Sequence, residues 1–486
     1  MDEIEKYFEK YRKNTIGNNT EYNTIFGKKK LIYADWVASG RLYLPIEEKL
    51  IEKFGPFVAN THTETSETGM LMTKSYHYAQ EIIKKHVNAS ADDVLIHAGF
   101  GMTSAVNKFQ RILGLRLKGR KKEDIPENER PVVFISHMEH HSNHTSWLTT
   151  IADVVIIPPK DDLTFSTENL EKTIAKYNNR KFKIGAFTAA SNVTGIELPV
   201  HKIAKIMHQN EGVCFVDYAM SAPYVEINMH PQDPMEKLDA IMFSPHKFLG
   251  GPGASGVLIF DKTLYNNEIP DNPGGGTVDW TNAWNEYKFI DNIEAREDGG
   301  TPGFLQAIKT ALAIKLKEEM TPQKIKEREE EQLKIIFDRF NKIKGLKILA
   351  GNVTKRLGAV SFYHNDIHYN FIVRVLSDKY GIQVRGGCAC AGTYGHLLLG
   401  VDKEESKRIT EKINKGDLSE KPGWVRLSIH PTMTDKEIIY IADAIEEIVN
   451  DYQKLQNEYI YSPKTNDFFH KNHKQFIDYK EWFSMD

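Results

Sequence analysis

The chain has little cysteine, no long apolar run and no surplus of one charge. Three cysteines in 486 residues (Cys214, Cys388 and Cys390) cannot build a disulfide framework of the secreted kind, so a reducing, cytoplasmic setting is expected. Apolar runs such as residues 154–157 are strand-sized and far short of a membrane span. The N-terminus is charged from its second residue and has no apolar signal core, which argues against secretion. Lys and Arg number 63 against 66 Asp and Glu, a net charge of -3, and no nucleic-acid footprint shows. The charged stretch at 118–130 reads as a solvated loop. Internal repeats and low-complexity tracts are also missing. What remains is 41% apolar residues, enough for a sizeable core, in a chain long enough for two domains plus appendages.

From about 75 to about 260 the pattern alternates helix and strand. Residues 76–87, 102–115 and 170–177 have helical periodicity. Residues 94–97, 132–136, 154–157, 184–188, 213–217, 240–244 and 256–260 read as short apolar strands. Continuous apolar strands alternating with helices predict an α/β fold with a mostly parallel sheet covered by helices on both faces. Residues 310–340 read as one long, charge-rich helical connector, and 345–450 as a smaller C-terminal α/β domain. The predicted division is an N-terminal extension (1–30), a large domain (31–305), a small domain with a mobile cysteine loop (306–450) and a polar, aromatic C-terminal tail (451–486).

Ligands in such sheets bind beyond the carboxyl ends of the strands, where several chemistry-bearing residues fall. Lys247 stands between two apolar strands, followed by a glycine-rich turn. A lysine buried there has its pKa lowered, and a neutral amine suits Schiff-base chemistry; the alternative is an exposed lysine on a surface hairpin. Asp217 closes a buried strand thirty positions earlier, where a carboxylate needs a cation such as a pyridinium nitrogen, or else caps the next turn. Residues 99–105 place small residues, Met102 and Thr103 at a strand–helix turn, a phosphate cradle or an ordinary cap. His137, Glu139, His140 and His141 invite a metal reading, but no second ligand cluster at zinc spacing accompanies them, and an imidazole stacked on a flat ring suits His140 better. Asn192 follows another strand and can donate to a cofactor oxygen.

Residues 384–392 form a glycine-rich segment with Arg385, Cys388 and Cys390, where a mobile thiol beside an arginine is a candidate nucleophile and metal binding the lesser alternative. Arg426 lies on an expected strand, as a carboxylate clamp or a structural ion pair.

Together these residues resemble the class V aminotransferase superfamily of fold type I pyridoxal phosphate enzymes, most of all the group II cysteine desulfurases and selenocysteine lyases. The likeness runs from about 30 to about 445, with Ser244, Pro245, His246, Lys247 and the following glycines as its most specific part, and residues 33–40 like the family's N-terminal loop. The resemblance implies pyridoxal 5'-phosphate as cofactor. Lys247 would hold it covalently and move the Cα proton, and Asp217 would bind the ring nitrogen. His140 would stack on the ring, and Asn192 would face the phenolic oxygen. Thr103, Ser244 and His246, beside Met102, would hold the phosphate, with Thr277 reaching the phosphate of the partner subunit. Arg426 would clamp the substrate carboxylate near Arg385, and Cys390 would attack the substrate sulfur. Met220 stands where the family often has glutamine, Met102 where threonine is usual, and residues 60–66 differ from the desulfurase pattern. Cys388 is a second thiol, similar to the paired cysteines of molybdenum-cofactor sulfurases.

The implied activity is cysteine desulfurase: L-cysteine to L-alanine, with a persulfide on Cys390. The implied partners are an amino-acid substrate, a second copy in a homodimer and a sulfur-acceptor protein, with no nucleic acid and no membrane. Alternatives are a selenocysteine lyase, amino-acid lyase, epimerase or transaminase of the same superfamily, or a non-catalytic scaffold.

Overall fold

The computed structural model describes residues 2–116, 119 and 122–485; Lys118, Arg120 and Lys121 of the expected charged loop lie outside the described residues. The chain forms two compact units. The larger comprises residues 38–192 and 196–326, the smaller residues 1–37, 193–195 and 327–486.

The larger unit is built on seven strands: β1 (Asp93–His97), β2 (Val132–Ile135), β3 (Asp153–Ile156), β4 (Lys183–Thr188), β5 (Val213–Asp217), β6 (Ala240–Phe243) and β7 (Val257–Asp261). Their order is β1-β7-β6-β5-β4-β2-β3. The pairs among β3, β2, β4, β5 and β6 are parallel, and β7 runs antiparallel to both its neighbours. Every residue of β2, β4 and β6 is buried, as a sheet covered on both faces requires. β3 differs from its expected buried character: at the sheet edge it has one neighbour, and Ile156 is exposed.

Helices α1 (Glu67–His86), α2 (Met102–Ile112), α3 (Thr167–Ile174) and α4 (Val200–Gln209) alternate with these strands. α1 starts nine residues ahead of its expected position because Ser66 caps it, accepting from the Gly69 N–H at 3.3 Å. α2 presents Met102, Ala105, Val106 and Phe109 to the sheet. Phe109 meets Phe215 of β5 and Phe260 of β7, with ring centroids 4.9 and 5.0 Å apart. This packing anchors the helix whose first turn matters below.

The expected single helix over 310–340 is two helices, α5 (Phe304–Met320) and α6 (Pro322–Phe340). Thr321 between them has φ 58°, and Pro322 has no N–H to continue the ladder, so the chain turns there.

In the smaller unit an antiparallel sheet contains β8 (Leu346–Ile348), β9 (Ala359–His364), β10 (Arg385–Gly387) and β11 (Trp424–Ser428), in the order β8-β9-β11-β10. Helices α7 (Tyr369–Tyr380) and α8 (Asp435–Asn450) belong to the same unit; α8 opens with a capping box made by Thr434 and Glu437. Residues 1–37 join this unit: Ile32–Tyr33 pairs in parallel with Ile382–Gln383. The C-terminal segment contributes a hairpin, β12 (Tyr459–Ser462) and β13 (Asp467–His470). Among the described residues no helix is long and apolar enough to cross a membrane.

Candidate active site

The carboxyl ends of β4, β5 and β6 lie side by side in the larger unit. Thr188 is in register with Asp217, and Asp217 with Met242. The chain leaves β6 through Ser244 into a single 3-10 turn, Pro245–Lys247, closed by the Lys247 N–H donating to the Ser244 carbonyl at 3.0 Å. Lys247 is therefore half-buried on a turn at a strand end rather than enclosed between strands. Its positive charge acts on Asp217 and on His246, which places all three in one neighbourhood.

Asp217 is buried, and burial pushes its carboxyl up to about 6, against the N–H of Ala219 (2.8 Å) and the charge of Lys247. Burial, with the charge of Lys247, pushes His246 down to about 4, so its imidazole is neutral at pH 7. Asn192, four residues past the end of β4, is also buried.

The start of α2 meets the same turn. Gly101 is its N-cap, with no side chain capping the helix from within. Instead the Met102 N–H donates to Ser244 Oγ at 2.8 Å, while the Met102 side chain packs in the core. Gly101 lies against Ser244 and His246: a Cβ there would stand 2.9 Å from Ser244 Oγ and 3.6 Å from His246 Cδ2. Thr103 Oγ1 and Ser142 Oγ are 2.6 Å apart, and the Ser142 N–H donates to His140 Nδ1 at 3.1 Å. With Nδ1 accepting, a neutral His140 carries its proton on Nε2. A helix start with its positive dipole end, two hydroxyls and a histidine could hold an anion.

Glu139 went unnoticed in the sequence except as a metal candidate. Its buried carboxylate accepts from the Ser136 N–H (3.2 Å), Ser136 Oγ (2.5 Å), Asn143 Nδ2 (2.7 Å) and the Thr188 N–H (3.0 Å). It therefore ties the His140 turn to the end of β4. Burial, with Asp217 adding repulsion, pushes it up to about 7. The signal was present in the spacing of Ser136, Glu139 and Asn143, but those contacts need the turn to be formed.

Thr277 stands apart from this cluster. It is buried in its own turn, its hydroxyl donating to the Gly274 carbonyl at 2.7 Å. Met220, at the position where glutamine was expected, is buried as well.

In the smaller unit Arg426 and Arg385 face each other across β11 and β10 and share Asp35. Arg426 Nη2 reaches Asp35 Oδ1 at 2.7 Å, and Arg385 Nε reaches Asp35 Oδ2 at 3.1 Å. Burial lowers the Arg426 pKa, and Asp35 opposes that shift. Two guanidiniums on one carboxylate leave a surplus of positive charge. β10 ends one residue before Cys388, and the Ala391 N–H closes a turn onto the Cys388 carbonyl at 3.1 Å. Ala389 and Cys390 have φ 50° and 55°, left-handed values that cost a residue with a Cβ about 1–2 kcal/mol each. Cys214 is buried, Cys388 half-buried and Cys390 exposed.

The larger unit's donor set could hold a phosphate at the start of α2, an aromatic ring with a basic nitrogen at Asp217, and a carbonyl carbon at the Lys247 amine. Before such a group binds, the raised carboxyls of Asp217 and Glu139 destabilise the fold at high pH. Their contribution is fully present below the ordinary carboxylate range and is lost as pH rises through about 6 and about 7. Asp217→Asn is therefore expected to raise the thermal unfolding midpoint of the cofactor-free protein more at about pH 8 than at about pH 4. Scanning calorimetry at both pH values checks this; a midpoint that falls at the higher pH contradicts it.

The aminotransferase class-V family model matches residues 32–441. A probable cysteine desulfurase of Halalkalibacterium halodurans is 31% identical over 371 residues, 74% of this chain and 84% of that protein. One from Staphylococcus epidermidis is 29% identical, over 75% of this chain and 84% of its own. Among solved structures, a cysteine desulfurase from Thermococcus onnurineus superposes with TM-score 0.72 at 22% identity, covering 91% of this chain and 98% of that one. One from Escherichia coli gives 0.67 at 20%, covering 86% and 94%. At those identities the structural likeness is one of fold. The family match takes in every side chain placed above, from Asp35 to Arg426, and by it the chain belongs to the aminotransferase class-V family.

Proposed function

We propose that the protein is a pyridoxal 5'-phosphate-dependent cysteine desulfurase that converts L-cysteine to L-alanine and keeps the sulfur as a persulfide on Cys390. The observation that carries this reading is the cysteine turn: of the chain's three thiols, the one held outward by a left-handed backbone is Cys390. Support comes from the 31% identical relative that bears the desulfurase name.

In this reading the Met102 backbone, Thr103, Ser244 and His246 bind the cofactor phosphate at the start of α2. Asp217 pairs with the ring nitrogen, which turns its costly burial into an ion pair. His140 covers the ring face, held in its tautomer by the Ser142 N–H. Asn192 faces the phenolic oxygen. The bound cofactor supplies an electron sink for the charge left when Cα loses its proton. Lys247 holds the cofactor through its amine and, once released, moves that proton. Arg426 and Arg385, jointly over-balancing Asp35, hold the substrate carboxylate. The Cys390 thiolate attacks the substrate sulfur: an S–S bond forms, the Cβ–S bond breaks, and the Cβ left behind takes up a proton to give alanine. A homodimer, in which the turn that carries Thr277 would approach the partner subunit's phosphate site, and a sulfur-acceptor protein complete the reading.

The test is mass spectrometry of the 384–392 peptide after exposure to L-cysteine, with alanine measured in parallel. One added sulfur on that peptide and matching alanine are expected. Consumption of cysteine to pyruvate with an unmodified peptide would point to lyase chemistry and defeat the proposal.

A further inference from the structure

The C-terminal hairpin lies beyond residue 441, where the family match ends. Its last turn residue, Asn466, is 6% exposed and left-handed, with φ 55°. Asn466 turns its side chain and its carbonyl inward. Its Nδ2 donates to the Tyr369 hydroxyl at 2.6 Å, its Oδ1 accepts from the Tyr461 hydroxyl at 2.8 Å, and its carbonyl accepts from Asn370 Nδ2. Tyr369 and Asn370 are the first two residues of α7. The rest of the hairpin locks onto the same helix: Phe468 packs edge-on against Phe371 at 5.3 Å, and Asp467 pairs with Arg374 at 3.0 Å.

From α7 the contacts lead to the cysteine turn. The Asn370 side chain lies against Gly386 of β10, where a Cβ would stand 2.1 Å from Asn370 Oδ1. Gly386 precedes Cys388 by two residues. Tyr369 donates its hydroxyl to the Lys421 carbonyl at 3.1 Å. Burial pushes that hydroxyl up to about 12, and the hydrogen bond from Asn466 opposes the shift.

We propose that Asn466 is a positioning residue for sulfur transfer: the C-terminal hairpin holds the start of α7, with Asn370 against Gly386, and thereby fixes the stance from which Cys390 reacts. The inference rests on the reading of Cys390 as the sulfur carrier. Physically it needs a contiguous set of groups between the two sites, and each link above is a direct contact or, from Gly386 to the cysteine turn, the chain itself, within one unit.

The experiment compares wild type, Asn466→Ala, Tyr369→Phe and the double variant as full-length holoenzymes. Two rates are read: single-turnover persulfide formation on Cys390, and alkylation of Cys390 by iodoacetamide without substrate. Asn466→Ala is expected to slow persulfide formation roughly 10- to 100-fold, the scale of a small misplacement of a reacting group, and to change the alkylation rate. The KM for L-cysteine and the cofactor's absorption band stay as in wild type. The double variant is no slower than the slower single one, because both cut the same link. Tyr369→Phe keeps the ring and removes only the hydroxyl, so it carries the test if Asn466→Ala does not fold. Wild-type rates in the variants overturn the inference, as does a slowing that comes with loss of the cofactor band, which marks general loosening. If wild type forms no persulfide, the parent reading falls, and the alkylation rates alone decide whether Asn466 governs the turn.

Discussion

Cys390→Ala is expected to lower the release of alanine from L-cysteine by at least ~1,000-fold, because it removes the only atom that would accept the sulfur. The loss should fall on kcat. Asp35, Arg385 and Arg426 are untouched, so KM for cysteine stays within a few-fold of wild type. The visible absorption of the bound cofactor should also persist, since Lys247 and Asp217 lie in the other unit. Cys388→Ala is the matched control: it removes the half-buried thiol and leaves the exposed one in its left-handed turn. It should form persulfide at Cys390 within a few-fold of the wild-type rate. Full alanine release by Cys390→Ala would sink the sulfur-carrier role and leave a family enzyme of another specificity.

Lys247→Ala should have the largest effect. The lysine would both tether the cofactor and carry the Cα proton, and general acid–base work alone is worth about 100- to 10,000-fold. Activity should therefore drop below detection. After borohydride treatment and unfolding, wild type should retain a cofactor-bearing peptide containing residue 247, and the variant should retain none. Lys247→Arg separates charge from chemistry: it keeps a cation beside Asp217 but offers no nucleophilic amine. Its failure together with Lys247→Ala would assign the effect to the amine. Retention of covalent cofactor in either variant would mean that the attachment site is elsewhere.

The placement of several candidate residues at the ends of elements was legible because short apolar runs are local signals. Asp217 ends β5, Lys247 follows β6, and Met102 and Thr103 open α2, as the apolar periodicity implied. The break at Thr321 was missed although Pro322 marks it, because helix-forming residues continue on either side. The edge character of β3 was missed for a different reason: Val154, Val155 and Ile156 are as apolar as a central strand, and only the strand order exposes one side.

The sequence by itself determined the alternation of helices and strands, the mostly parallel sheet and the residue types offered for chemistry, because hydrophobic periodicity and turn residues act over a few positions. Tertiary structure alone decided which distant groups meet. Asp35 reaches Arg426 across 391 positions, Asn466 reaches Tyr369 across 97, and Thr188 reaches Glu139 across 49. No local pattern encodes such pairs: they form when the folded chain closes long loops and buried polar groups must find partners to offset lost hydration.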